Sequence, residues 1–142
     1  MTVVLVETEI HFKTGSIGRT CVALDLELIL VGKLGFSLDS SSVARSGTRY
    51  WKSVQLDLYN DWAEFVQRRK PLDDQMYFFE EDGSHSFYSP IYHPESYLVF
   101  GCESKGLPKA ILESMEHRTF ALPMKNRTVK SLNLANAATA VI

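Results

Sequence analysis

Three stretches of the chain gather residue types that can do chemistry. The first, Leu98-Val99-Phe100-Gly101-Cys102-Glu103-Ser104-Lys105-Gly106-Leu107-Pro108, runs from a continuous apolar segment into a polar turn. Tyr97 to Phe100 has the pattern of a strand covered on both faces, and Gly101 ends it where the backbone must turn or meet a ligand closely. Pro108 suits the first turn of a helix through Ala110, Ile111 and Leu112. Glu103 is thereby a carboxylate held at the carboxyl end of a strand, where open α/β sheets bind ligands. The spacing Gly101-x-x-x-x-Gly106 is not a phosphate loop, because Leu107 and Pro108 stand where that loop needs Lys and Ser or Thr. A plain strand-to-helix turn explains the glycine pair equally well. The second stretch, Ser131-Leu132-Asn133-Leu134-Ala135-Asn136-Ala137-Ala138, offers a hydroxyl and two carboxamides ahead of small residues able to continue as a helix. The third, Lys13-Thr14-Gly15-Ser16-Ile17-Gly18-Arg19-Thr20, sets two cations on a segment of helical spacing.

In this order and at this spacing, the stretches resemble the three motifs of the SpoU branch of the SPOUT methyltransferases. The family versions run roughly NTGNIxRxC, LVFGxExxGLP and SLNLSNA. The likeness continues through Gly35-Phe36 and Ser46-Gly47-Thr48-Arg49-Tyr50-Trp51 and covers residues 1–142 as one methyltransferase domain. It is nearest to the small tRNA wobble-nucleotide 2′-O-methyltransferases (TrmL type), which lack an added RNA-binding domain.

The resemblance implies S-adenosylmethionine as methyl donor and tRNA, through its anticodon stem-loop, as substrate. The methyl would go to the ribose 2′-hydroxyl of the wobble cytidine or uridine. It also implies a C-terminal trefoil knot, a homodimer, and a terminal helix running longer than the segment that reaches Ile142. The implied cofactor pocket involves Phe79, Gly101, Leu122 and Ser131, with Gly106, Met124 and Leu132 as further lining; small and apolar residues suit an adenine slot. The implied catalytic residues are Arg19, Glu103, Ser131 and Asn133. A hydroxyl is a poor nucleophile, so it must be aligned and its proton accepted. A guanidinium normally stays protonated, which favours alignment and charge stabilisation by Arg19 over literal proton abstraction. On the residues alone, Arg19 reads as a solvated helix cation, and Glu103, Ser131 and Asn133 as turn caps.

Three positions depart from the family pattern: Lys13 stands for Asn, Arg49 for the Asp of AGLDYW, and Ala135 for the Ser of NLSNA. Lys13 adds a second cation near Arg19 and is expected to weaken turnover, so that Lys13→Asn should change single-turnover methylation. Two other readings stand beside the first: 2′-O-methylation of another tRNA position or of ribosomal RNA, and a catalytically silent RNA-binding protein on the same scaffold.

The elements that must position these residues follow from the apolar pattern. With 142 residues, 45% of them hydrophobic, the chain can build one real core. Val3–Val6, Glu27–Val31, Val54–Leu56, Met76–Phe79, Tyr97–Phe100 and Phe120–Leu122 read as strands. Thr14 or Ser16 is placed to cap a helix whose buried stripe is Ile17, Cys21 and Leu24. A short helix is expected around Val43 to Ser46, and a later one starts at the capping box Asp61-Trp62-Ala63-Glu64, with Leu58, Trp62, Phe65 and Val66 as its apolar stripe. Arg68, Arg69, Lys70 and Pro71 mark the end of that helix. Strands alternating with helices predict an α/β fold, a mostly parallel sheet with helices on both faces.

The net charge of −2 is unevenly spread. Arg45, Arg49 and Lys52 fall in one stretch without acids, Lys125, Arg127 and Lys130 in another, and Asp73, Asp74, Glu80, Glu81 and Asp82 gather elsewhere. Tyr50 beside Arg49 and Lys52 could stack a base, whereas Trp51 is better read as core. Cys21 and Cys102 are too few and too isolated for a zinc site; they read as free thiols of a reducing compartment, and no metal is expected. His85 and His93 lack the nucleophile elbow and acid of a Ser/His hydrolase. No segment approaches a membrane span and no signal peptide is evident, so the cytoplasm is the expected location.

Overall fold

A computed structural model describes residues 1–38, 48–126 and 128–142. The helix expected around Val43 to Ser46, with Arg45 and Arg127, lies outside the described residues, as does the side chain of Arg49. Seven strands form one sheet: β1 Thr2–Val6, β2 Glu27–Val31, β3 Gln55–Tyr59, β4 Met76–Phe79, β5 His85–Ser86, β6 Tyr97–Phe100 and β7 Thr119–Ala121. Their order is β3-β2-β1-β6-β4-β7-β5, and every neighbouring pair is parallel. The central strands are runs of β-branched, leucine and aromatic residues, which fit a sheet covered on both sides.

Alternate residues of each strand enter two different cores. Val3, Leu5, Leu28, Leu30, Tyr77, Phe79, Leu98 and Phe100 face Ile17 and Cys21 of α1 (His11–Ala23) and Ala138 of α4 (Leu134–Val141). Val4, Val6, Ile29, Val31, Met76, Phe78 and Val99 face Phe65 of α2 (Trp62–Arg69) and Ile111 and Met115 of α3 (Lys109–Met115). A buried aromatic or aliphatic side chain contributes about 1.5–3 kcal/mol. Phe65, with no exposed surface, is therefore the main anchor of the eight-residue α2, whose Trp62 is only half-buried.

Several local expectations are corrected. α1 starts at His11, with Ile10 as an N-cap residue lacking a side-chain cap, so Thr14 and Ser16 lie inside the helix. Buried Thr14 instead pairs its hydroxyl with that of Thr8 at 3.0 Å. Leu24 is the C-cap, where the chain leaves the helix, and is 53% exposed rather than buried. Leu58 belongs to edge strand β3 and Val66 to the outer side of α2, and both are exposed. The cap of α2 is extended by one residue: Asp61 accepts from the Glu64 N–H at 2.8 Å, while Glu64 reaches the N–H of Asn60 at 2.7 Å.

The strand order places the carboxyl ends of β1, β6, β4 and β7 side by side. After β1 the chain builds outward through β2 and β3, then crosses to the other side for β4 and returns to insert β6 next to β1. Such a reversal of direction opens a crevice above the strand ends.

Candidate active site

The crevice is built from two loops. Gly101 follows β6 where no side chain fits: a Cβ there would lie 2.1 Å from the carbonyl carbon of Gly106. That contact is closed by two hydrogen bonds between Cys102 and Gly106, N–H to carbonyl in each direction, at 3.1 and 3.0 Å. Gly106 adopts φ +70°, a left-handed conformation that costs glycine nothing and other residues a good deal. Its neighbour Leu107 donates its N–H to the Glu80 carboxylate at 2.5 Å, which ties the loop to the end of β4.

Glu103 connects this loop to α1. Its two carboxylate oxygens accept the N–H groups of Glu9 and Ile10 at 2.8 and 3.1 Å. Glu9 returns the arrangement, accepting from the N–H and hydroxyl of Ser104 at 3.1 and 2.8 Å. The start of α1 thus receives its cap from a residue over ninety positions away in sequence. Glu103 spends both oxygens on this task, so it positions α1 against the loop.

The second loop, Leu122 to Asn133, leads from β7 into α4. Asn133 caps α4, its carbonyl oxygen accepting from the Ala135 N–H at 2.9 Å. The amide nitrogen of Asn133 has no hydrogen-bond partner among the described residues. Ser131, Leu132 and Asn133 are exposed to the crevice.

Between the loops lies a cavity of about 500 Å³. All seven residues expected for the cofactor, Phe79, Gly101, Gly106, Leu122, Met124, Ser131 and Leu132, line it. So do Glu103 and Asn133 of the expected catalytic set. Arg19 does not. It sits on the exposed side of α1, roughly 9 Å along the axis from the lining residue Lys13, with its guanidinium 5.3 Å from the ring centre of Tyr50. Tyr50 is open to solvent, while Trp51 lies half-buried against α1, and a Cβ on Gly18 would come within 2.9 Å of its ring.

Sequence reasoning missed Glu80 and Lys105 as lining residues. Glu80 immediately follows β4, and its place at a strand's carboxyl end was the available signal. Burial holds its carboxyl above the usual carboxylate range, the Leu107 N–H opposes that shift, and the charges of Glu81 and Asp82 add to it. Cys21 is a core thiol pushed up to about 12 by burial, which makes it unreactive. Among the described residues no group of three or more His, Cys, Asp or Glu could hold a metal ion, and no helix is long and apolar enough to cross a membrane. His85 and His93 lie away from this cavity.

Comparison with known proteins agrees with this geometry. The model of the SpoU rRNA Methylase family matches residues 1–142. A tRNA (cytidine(34)-2′-O)-methyltransferase of Burkholderia pseudomallei is 35% identical over 141 residues, 99% of this chain and 90% of the relative. A solved structure described as giving insights into the 2-OH methylation of C/U34 on tRNA superposes with a TM-score of 0.91 at 35% identity, covering 99% of this chain and 90% of that one. The SpoU methyltransferase AviRb of Streptomyces viridochromogenes, solved with the cofactor AdoMet, superposes with a TM-score of 0.81 at 27% identity, covering 99% of this chain and 57% of that one. With the family model matched from end to end, the chain belongs to the SpoU methylase family.

Proposed function

We propose that this protein transfers a methyl group from S-adenosylmethionine to the 2′-hydroxyl of the wobble nucleotide of tRNA, a cytidine or uridine at position 34. The observation that carries the reading is the cavity at the carboxyl ends of β4, β6 and β7, with its apolar wall and its two glycines. A site of this size fits a nucleoside-sized ligand, and the apolar side chains of Phe79, Leu122 and Leu132 suit an adenine ring. The AdoMet-bound relative and the relative named for cytidine 34 support donor and acceptor respectively.

Within that reading each residue has a separate task. The cofactor, when bound, supplies a methyl carbon on a positively charged sulfur. Gly101, Gly106 and Ser131 would leave it room beside the loops, while Phe79, Leu122, Met124 and Leu132 would exclude water from it. Asn133 offers an amide donor to the incoming ribose. Arg19 aligns the hydroxyl and stabilises the charge that develops on its oxygen. Since Arg19 stands outside the cavity of its own chain, we place it in the cavity of a second copy, so that a homodimer forms the complete site. The approach of α4 to α1, with Thr20 and Thr139 sharing a hydrogen bond at 3.1 Å, is compatible with the terminal trefoil knot of the family. A tRNA substrate supports a cytoplasmic location.

The test is incubation of the protein with labelled S-adenosylmethionine and unmodified tRNA, followed by mass mapping of the methylated ribose. A 2′-O-methyl group at nucleotide 34 is the expected result. A methyl at another tRNA position or on ribosomal RNA replaces the substrate assignment, and cofactor binding without transfer identifies a silent scaffold.

A further inference from the structure

Glu80 is one of the ionisable residues lining the cavity, beside Glu81, Glu103, Lys13, Lys105 and Lys130, and its charge is only partly used. One carboxylate oxygen accepts the Leu107 N–H, and the other has no hydrogen-bond partner among the described residues. That second oxygen lies against Gly106, 2.7 Å from where a Cβ on that residue would sit, and so reaches the glycine loop that lines the cavity. Glu103, also in the lining, directs both of its oxygens to the start of α1. A partly desolvated carboxylate acts on a neighbouring charge more strongly than one in open water.

The reaction proposed above changes the charge of what the cavity holds, and the inference rests on that reading. During transfer the sulfur–methyl bond breaks and a carbon–oxygen bond forms. The sulfur keeps the electron pair and passes from a sulfonium cation to a neutral thioether, and the hydroxyl proton leaves to solvent or a base. We propose that the Glu80 carboxylate makes this cavity discriminate by charge, holding the sulfonium donor more tightly than the thioether left after transfer. Glu80 is then a specificity-determining residue that favours recharging of the site and release of the spent cofactor.

Two variants separate this effect from the hydrogen bond to Leu107. Glu80→Gln retains a carbonyl that can accept that N–H but carries no charge, whereas Glu80→Ala removes both. Calorimetric titration of the wild type and both variants with S-adenosylmethionine and, separately, S-adenosylhomocysteine reads binding without any turnover. In Glu80→Gln the affinity for the sulfonium compound should fall about fivefold to tenfold while that for the thioether stays within about twofold, as expected for loss of one charge at intermediate dielectric. Glu80→Ala should weaken both ligands, because the loop is also released. Equal changes for the two ligands in Glu80→Gln, or no change in either, would overturn the charge-discrimination role alone. Failure of the wild type to bind either compound would overturn the cofactor assignment and this inference with it.

Discussion

Two polar clusters sit at different places on the same sheet, and they use their charges in opposite ways. At the β2–β3 edge, Arg69 donates to Glu27, to Asp57 at 3.0 Å and to the Tyr59 hydroxyl at 2.5 Å, while Asp57 accepts from Tyr59 at 2.8 Å. Burial opposes the charge on Arg69, but its hydrogen bonds to Glu27, Tyr59 and Asp57 leave it more firmly protonated than usual. Asp57 is held below the usual carboxylate range, first by the Tyr59 hydroxyl. At the cavity, by contrast, among the described residues Lys13, Lys105 and Lys130 make no ion pair and one oxygen of Glu80 accepts no hydrogen bond. A cluster closed on itself stabilises the fold, whereas one with unspent donors and acceptors is equipped to bind something else.

This contrast yields a graded set of expectations. The largest effect belongs to the cavity: Gly101→Ala should lower affinity for S-adenosylmethionine by about a hundredfold or more, because its Cβ would overlap the Gly106 backbone, and titration calorimetry reads the loss. Arg19→Ala should lower the single-turnover methylation rate by about a hundredfold while leaving cofactor affinity and melting temperature unchanged. Mixing inactive Arg19→Ala with inactive Asn133→Ala should restore activity through dimers holding one intact site. Activity that stays lost in the mixture would mean that each chain uses its own Arg19. At the edge cluster, Arg69→Ala should cost about 1–3 kcal/mol in denaturant unfolding, between the limits for surface and buried pairs, with methylation by the folded fraction unchanged.

The smallest effect is a dependence on pH. The folded-state value of Glu80 lies above its ordinary 4.5, so its contribution to stability is full below that value and is lost as pH rises through the raised one. Relative to Glu80→Gln, the wild type should therefore lose about 1–3 °C of melting temperature between about pH 4 and pH 7. A difference that does not vary with pH would remove burial as the cause.

The same contrast explains what could be read in the sequence. β1, β4 and β6 were legible because buried parallel strands are written as short apolar runs, and the glycine loop because its backbone contacts demand specific residues. The seven residues expected for the cofactor come from motif resemblance, and the fold brings them into one cavity. The start of α1 was not legible, since its cap comes from Glu103 across the molecule. Leu24, Leu58 and Val66 were misplaced because periodicity does not reveal where a helix stops or which strand is an edge. The separation of Arg19 from the cavity depends on which side of α1 faces the core it shares with α4, and motif order alone does not contain that.

The most direct test of the central claim compares two anticodon stem-loops that differ by one atom, the 2′-oxygen of nucleotide 34. With labelled S-adenosylmethionine in single turnover, the ribose substrate should take up one methyl group and the 2′-deoxy substrate none. Equal labelling of both, or labelling of neither by a protein that binds the cofactor, would contradict the account.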